Sequence, residues 1–124
     1  MIIAAVILML VAVFTVVINE LAGRGVLPIN AYVGLRIGSV HRSPKAWVAG
    51  HRAARLPLYL GAAVLFFGSA TALFVPGTAG DPTSAAQTAL LFGSTGVFLA
   101  LVVLASARAN TAANQVLGLS AANR

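Results

Sequence analysis

The chain has no cysteine and only two acidic residues, Glu20 and Asp81. The first absence excludes disulfides, thiolate catalysis and cysteine-ligated metals. Charged residues of both signs together make up 8% of the sequence, against roughly a quarter in soluble globular chains. With 60% hydrophobic residues and a mean hydropathy of +0.97 in 124 residues, a water-soluble domain is excluded before any motif is read. The few charges that remain are lopsided: eight Lys and Arg give a net charge of +6 and a pI near 11.6. In a polar chain this would point to nucleic acid, so the position of the charges has to decide.

Three apolar stretches account for the composition: residues 1–18, 56–75 and 85–107. Crossing the ~30 Å hydrocarbon core takes roughly 20 helical residues, and each stretch is read as a transmembrane helix. A secretory signal peptide needs a basic region ahead of its apolar core and a small-residue cleavage site after it. Here the apolar run starts at Met1 and is followed by Asn19-Glu20-Leu21-Ala22-Gly23, so the first helix is expected to be retained.

The connections are unequal. Residues 19–55 hold Arg24, Arg36, Arg42, Lys45, Arg52 and Arg55 against Glu20, whereas the turn at 76–84 holds only Asp81. By the positive-inside rule the long loop and the tail at 108–124 face the cytoplasm and the N-terminus lies outside. Pro76-Gly77 ends the second helix, Gly80-Asp81-Pro82 is a turn cluster, and Thr83 or Ser84 is placed to cap the third helix. Pro57 is read as standing in the first turn of the second helix, where its missing N–H costs nothing. A tight antiparallel hairpin of the second and third helices follows.

Each helix of that hairpin carries a cluster of small and hydroxyl residues at mid-membrane: Gly68, Ser69 and Thr71 in one, Gly93, Ser94 and Gly96 in the other. Small residues let helix backbones approach closely in lipid. The clusters are therefore read as helix packing, with a docking face for another membrane protein or a polar notch as the alternatives. No ionisable residue lies deep in any span, which argues against a proton relay or ion pathway.

In the loop, Ser43-Pro44 is an N-cap followed by a proline at the first helical position, opening a short helix over residues 44–55. Trp47, His51 and Arg55 share one stripe of it, and Lys45 and Arg52 another. An aromatic stripe beside basic residues is the pattern of a helix lying in the membrane interface. Tyr32, Trp47 and Tyr59 are the only Tyr or Trp residues, all near the cytoplasmic boundary, as an aromatic belt would place them.

The run Asn30-Ala31-Tyr32-Val33-Gly34-Leu35-Arg36, followed by Ser43-Pro44-Lys45-Ala46-Trp47-Val48-Ala49-Gly50-His51-Arg52, resembles the signature of the SdpI family of bacterial membrane proteins. The layout of one transmembrane helix, this loop and a helix pair is similar to the family's C-terminal module, over residues 1–107. Ile37 stands where the family usually has Thr. The resemblance implies a bacterial cytoplasmic-membrane protein and, for the family's namesake, immunity to a secreted peptide toxin. It marks Asn30, Gly34, Arg36, Ser43, Trp47, His51 and Arg52 as candidate contacts to a partner or lipid.

Weighed residue by residue, Arg36 is either a bidentate site for an ion pair or lipid phosphate or one more solvated charge. Glu20 can pair with Arg24 four residues on, or with Arg36 across the loop. Trp47 with His51 is either an interface anchor or a peptide-recognition surface. His41, His51 and Glu20 have no metal-ligand spacing. Asp81 is expected on the far side of the membrane from both histidines, so no Ser-His-Asp set can assemble. The expectation is an all-α integral membrane protein of three transmembrane helices plus an interfacial helix, without catalytic activity, cofactor, metal or nucleic-acid partner. It acts by binding anionic lipid headgroups and a membrane-active peptide, or as an accessory subunit of a transporter or respiratory assembly.

Overall fold

Long apolar sequence and few turn residues give long helices, and the computed structural model describes residues 1–77 and 84–118 as three of them. They are α1 (Ile2–Gly23), α2 (Pro44–Phe74) and α3 (Ala85–Val116), with a single 3₁₀ turn at Val40–Arg42 before α2. No strand occurs among the described residues. All three helices are long and apolar enough to cross a membrane.

The helix ends follow local chemistry. At the end of α1, Gly25 takes a φ of 76°, and the N–H groups of Gly25 and Val26 turn back to the carbonyls of Ala22 and Leu21. This is a Schellman closure, and it requires the left-handed conformation that glycine adopts freely. Ser43 caps α2 by accepting from the Ala46 N–H at 3.1 Å, with Pro44 at the first helical position. Ser84 opens α3 in a capping box, its hydroxyl accepting from the Gln87 N–H while the Gln87 side chain accepts from the Ser84 N–H. The expected turn cluster at 80–82 lies outside the described residues.

α2 lies between the other two helices and packs along both, antiparallel to each. Small residues make the contacts. Ala5, Ala12 and Asn19, seven apart, are the buried stripe of α1, and Ala105, Ala109 and Ala113 are that of the last part of α3. Three clusters follow one another along the bundle. Ala5, Ala72 and Leu91 hold the end near the N-terminus, and Ala12, Ala62, Leu65 and Phe98 hold the middle. The third, at the other end, gathers Ala22, Val40, Trp47, Ala54, Leu58 and the three α3 alanines. Outside these contacts the large apolar side chains of α1 are turned outward, with Ile3 76% and Leu10 63% exposed.

Two expectations are corrected. Residues 44–55 are not a separate interfacial helix: they are the first turns of α2, which runs on for 31 residues, about 46 Å. Pro57 is consequently inside the helix rather than at its start. An internal proline removes one backbone hydrogen bond and crowds the preceding turn. Here Trp47, Ala54, Pro57 and Leu58 form one buried stripe across that point, and its packing holds the helix continuous. α1 likewise extends beyond residue 18, and α3 continues past residue 107 into the tail.

Candidate functional site

The described basic residues, Arg24, Arg36, Arg42, Lys45, Arg52, Arg55 and Arg108, fall on the end of α1, the loop, the start of α2 and the last turns of α3. Since Gly50 of α2 packs against the backbone of Ala109, these segments are level with one another. One end of the bundle therefore carries all the described cationic side chains. It also carries the loop at 24–43, which is tied down by side chains from all three helices.

The ties are specific. Trp47 is 1% exposed, and its indole Nε1 donates to the Leu27 carbonyl at 2.8 Å. His51 is fully buried; its Nε2 accepts from the Leu35 N–H at 2.9 Å, and its Nδ1 lies 2.8 Å from the Trp47 carbonyl. An acceptor at Nε2 and a carbonyl facing Nδ1 define the neutral imidazole protonated on Nδ1. The two rings pack at a centroid distance of 4.3 Å. Gly34, at a φ of 102°, passes so close that a Cβ would lie 2.6 Å from the Trp47 ring, so only glycine fits there.

The other motif residues also serve the loop. Asn30 Oδ1 accepts from the N–H groups of Tyr32 and Val33 at 2.9 and 2.8 Å, an Asx turn that reverses the chain. Arg52 Nε donates to the Gly23 carbonyl at 2.8 Å, satisfying an open carbonyl at the end of α1. Ser43 caps α2. Arg36, exposed like Arg52, bonds within the loop rather than to a helix: its Nη1 donates to the Ala31 carbonyl at 3.0 Å. Ion pairs among the described residues leave it without an acid.

Glu20 is the hub of a second network. It pairs with Arg24 at 2.6 Å, as its spacing predicts, and with Arg55 of α2 at 3.0 Å, and it accepts from the Tyr59 hydroxyl. The carboxylate in turn raises the pKa of the Arg24 guanidinium, through a hydrogen bond first and charge second. The alternative pairing of Glu20 with Arg36 does not form.

The structure overturns the interfacial reading of Trp47. Its ring is enclosed by Gly34 and His51, because α2 continues as a packed helix and turns that face inward. Of the three aromatic residues only Tyr32 is well exposed, at 91%. The packing residues divide as well. Gly68 meets Ser94 so closely that a Cβ would lie 2.6 Å from the Ser94 Cβ, and Ser69 is buried with its hydroxyl unpartnered. Thr71, Gly93 and Gly96 are not in the hairpin contact. The buried stripe of α3 runs through Leu91, Ser94 and Phe98, which turns Gly93 and Gly96 to the opposite face, where neither has a neighbour within 4 Å. Thr71 is exposed and bonds back to the Phe67 carbonyl.

Sequence reasoning missed two anchors. Asn19 is buried and donates to the His51 carbonyl at 3.0 Å; its seven-residue spacing from Ala5 and Ala12 was the available signal. Asn110 accepts from the Ser39 N–H at 2.9 Å through Oδ1, beside Gly38, whose φ is 48°. No pattern distinguishes Asn110 among the polar residues of the tail. No group of three His, Asp or Glu comes together among the described residues. No protein-family model, curated protein or solved structure matches the chain.

Proposed function

We propose that the chain is a small SdpI-like protein of the bacterial cytoplasmic membrane that acts by binding rather than by catalysis. Its basic end faces the cytoplasm and its N-terminus lies outside, as the positive-inside rule requires of so one-sided a charge distribution. The observation that carries the binding reading is the division of labour within the motif. Trp47, His51, Asn30 and Ser43 spend their polar atoms on backbone groups and Arg52 bonds the end of α1, whereas Arg36 bonds within the loop itself, to the Ala31 carbonyl, from an exposed position with no acid paired to it. The motif is thus a scaffold that presents a cation, and the presented group is the contact.

The resemblance to the SdpI family narrows the role to protection against a membrane-active peptide. Expression in a sensitive bacterium is expected to raise resistance to such a peptide, and Arg36→Ala to abolish the gain while the protein still accumulates in the membrane. Unchanged sensitivity on expression removes the immunity reading.

A second reading, an accessory subunit of a larger membrane complex such as a transporter or respiratory assembly, is favoured by one observation: Gly93 and Gly96 leave an open, exposed strip on α3. Close approach at such small residues is how helices associate in lipid. Gly93→Leu together with Gly96→Leu is expected to abolish stoichiometric co-purification in mild detergent. A wild-type chain that purifies alone counts against it.

A further inference from the structure

α1 and α3 both pack on α2 and leave a groove between them, about 270 Å³ in volume. Its walls are apolar, chiefly Phe14 and Ile18 of α1 and Phe98 and Val102 of α3, over Leu58 of α2. Apart from Thr15, whose hydroxyl bonds back to the Val11 carbonyl, its polar features are at the basic end, where Gly34 and Leu35 of the tethered loop close over Asn19 and His51 as its roof. Asn19 Oδ1 is buried there without a donor.

The dimensions select the occupant. Along α1 the lining runs from Val11 to Asn19, roughly 12 Å at 1.5 Å per residue. That is close to one leaflet of a hydrocarbon core of about 30 Å. A transmembrane helix of a partner would need a groove along the whole span. The volume is also just below the ~300 Å³ at which ordinary small-molecule sites begin, so the groove suits one slender apolar chain.

Charge supplies the rest. Arg36 follows directly on the roof residue Leu35, and its guanidinium donates only to the Ala31 carbonyl among the described residues. The nearest candidate acid, Glu20, is committed to Arg24, Arg55 and Tyr59. No described acid of the chain pairs with Arg36, and a guanidinium free to take an anion from outside favours phosphate. We propose that this groove holds one acyl chain of an anionic phospholipid from the leaflet at the basic end, with the lipid phosphate at Arg36. The proposal rests on the reading that the chain spans a membrane.

Trp47 is the sole tryptophan and packs against the roof residue Gly34, which makes it the reporter. Full-length protein is reconstituted in phosphatidylcholine vesicles containing phosphatidylglycerol, with brominated acyl chains on one lipid at a time, and quenching of Trp47 is recorded. A preference of roughly tenfold for brominated phosphatidylglycerol is expected, because both lipids carry a phosphate but only phosphatidylglycerol has no cation of its own to compete with Arg36 for it. Arg36→Ala is expected to remove the preference, and Val11→Phe, which fills the groove from an exposed position, to reduce quenching by both lipids. Equal quenching by the two lipids, or a preference that survives Arg36→Ala, overturns the proposal. Binding of inorganic phosphate to the detergent-solubilised protein that is lost with Arg36→Ala, together with equal quenching by the two lipids in vesicles, assigns Arg36 to the free anion and also overturns it. Flotation of the same vesicles separates the failures: protein that does not float refutes the membrane reading, whereas protein that floats without lipid preference refutes only the lipid site.

Discussion

The two ends of the bundle are held by a different balance of forces. At the basic end, the loop is pinned by directed bonds to the buried Trp47 and His51 and the half-buried Asn110, which meet Leu27, Leu35 and Ser39 respectively. Towards the other end, α2 and α3 meet chiefly by packing, Gly68 against Ser94 and Ala72 against Leu91, with the Gln87 side chain adding bonds to the Ala72 and Val75 carbonyls. Directed bonds fix a loop's path at the cost of needing every partner. Packing of small residues fixes helix separation and has no such requirement. The difference teaches that the long irregular segment keeps its path because side chains of α2 and α3 supply partners for its backbone.

Removing Trp47 is the most damaging way to break this contrast. Trp47→Ala deletes a fully packed ring and the donor to Leu27, a change worth about 3–5 kcal/mol in a well-packed core. Trypsin cleavage in detergent is expected to accelerate at Arg24, Arg36 and Arg42, while helix content by circular dichroism changes little. Trp47→Phe, which keeps most of the packing, should lie between the two proteins. If Trp47→Ala leaves the cleavage rate unchanged, the loop is not held by this ring.

At the other end, Gly68→Leu forces a side chain into Ser94, an overpacking cost of typically 1–3 kcal/mol. The thermal midpoint in detergent should fall without faster cleavage in the loop. Gly93→Leu, on the open face, should leave the midpoint near that of the wild type or raise it, since glycine inside a helix is already unfavourable. Equal loss from both substitutions would mean that Gly93 is packed as tightly as Gly68.

Much of this organisation was legible. Apolar length gave three helices, and the cap at Ser43 and one at Thr83 or Ser84 were visible because N-capping is local chemistry. A helix start at Ser43-Pro44 was readable too, but not that this helix is the second transmembrane helix itself, continuous through Pro57. Local signals place a proline at a helix start, whereas burial of the stripe from Trp47 to Leu58 is decided by tertiary contacts. The same holds for Trp47 itself: aromatic and basic residues at helical spacing look alike whether the ring meets lipid headgroups or a folded loop. Gly93 and Gly68 are equivalent in sequence, and only the rotation of α3 separates them. Asn110 was illegible because its partner, Ser39, is 71 residues away in the chain.

The smallest structural effect is expected at the residue with the most exposed role. Arg36 donates one bond to Ala31 from an exposed position, and substitutions at such sites rarely disturb the fold. Arg36→Ala should therefore melt at the wild-type midpoint and resist trypsin at Arg24 and Arg42 as the wild type does, yet lose whatever the loop was built to contact. Arg36→Lys sharpens the point, because lysine keeps the charge but not the planar fork. If Lys restores binding fully, the contact is a general attraction to a negative surface; if it restores only part, the guanidinium is reading a phosphate or carboxylate in two-pronged geometry. A fall in stability with Arg36→Ala would instead place this residue among the loop's ties, and the separation of scaffold from contact would be lost.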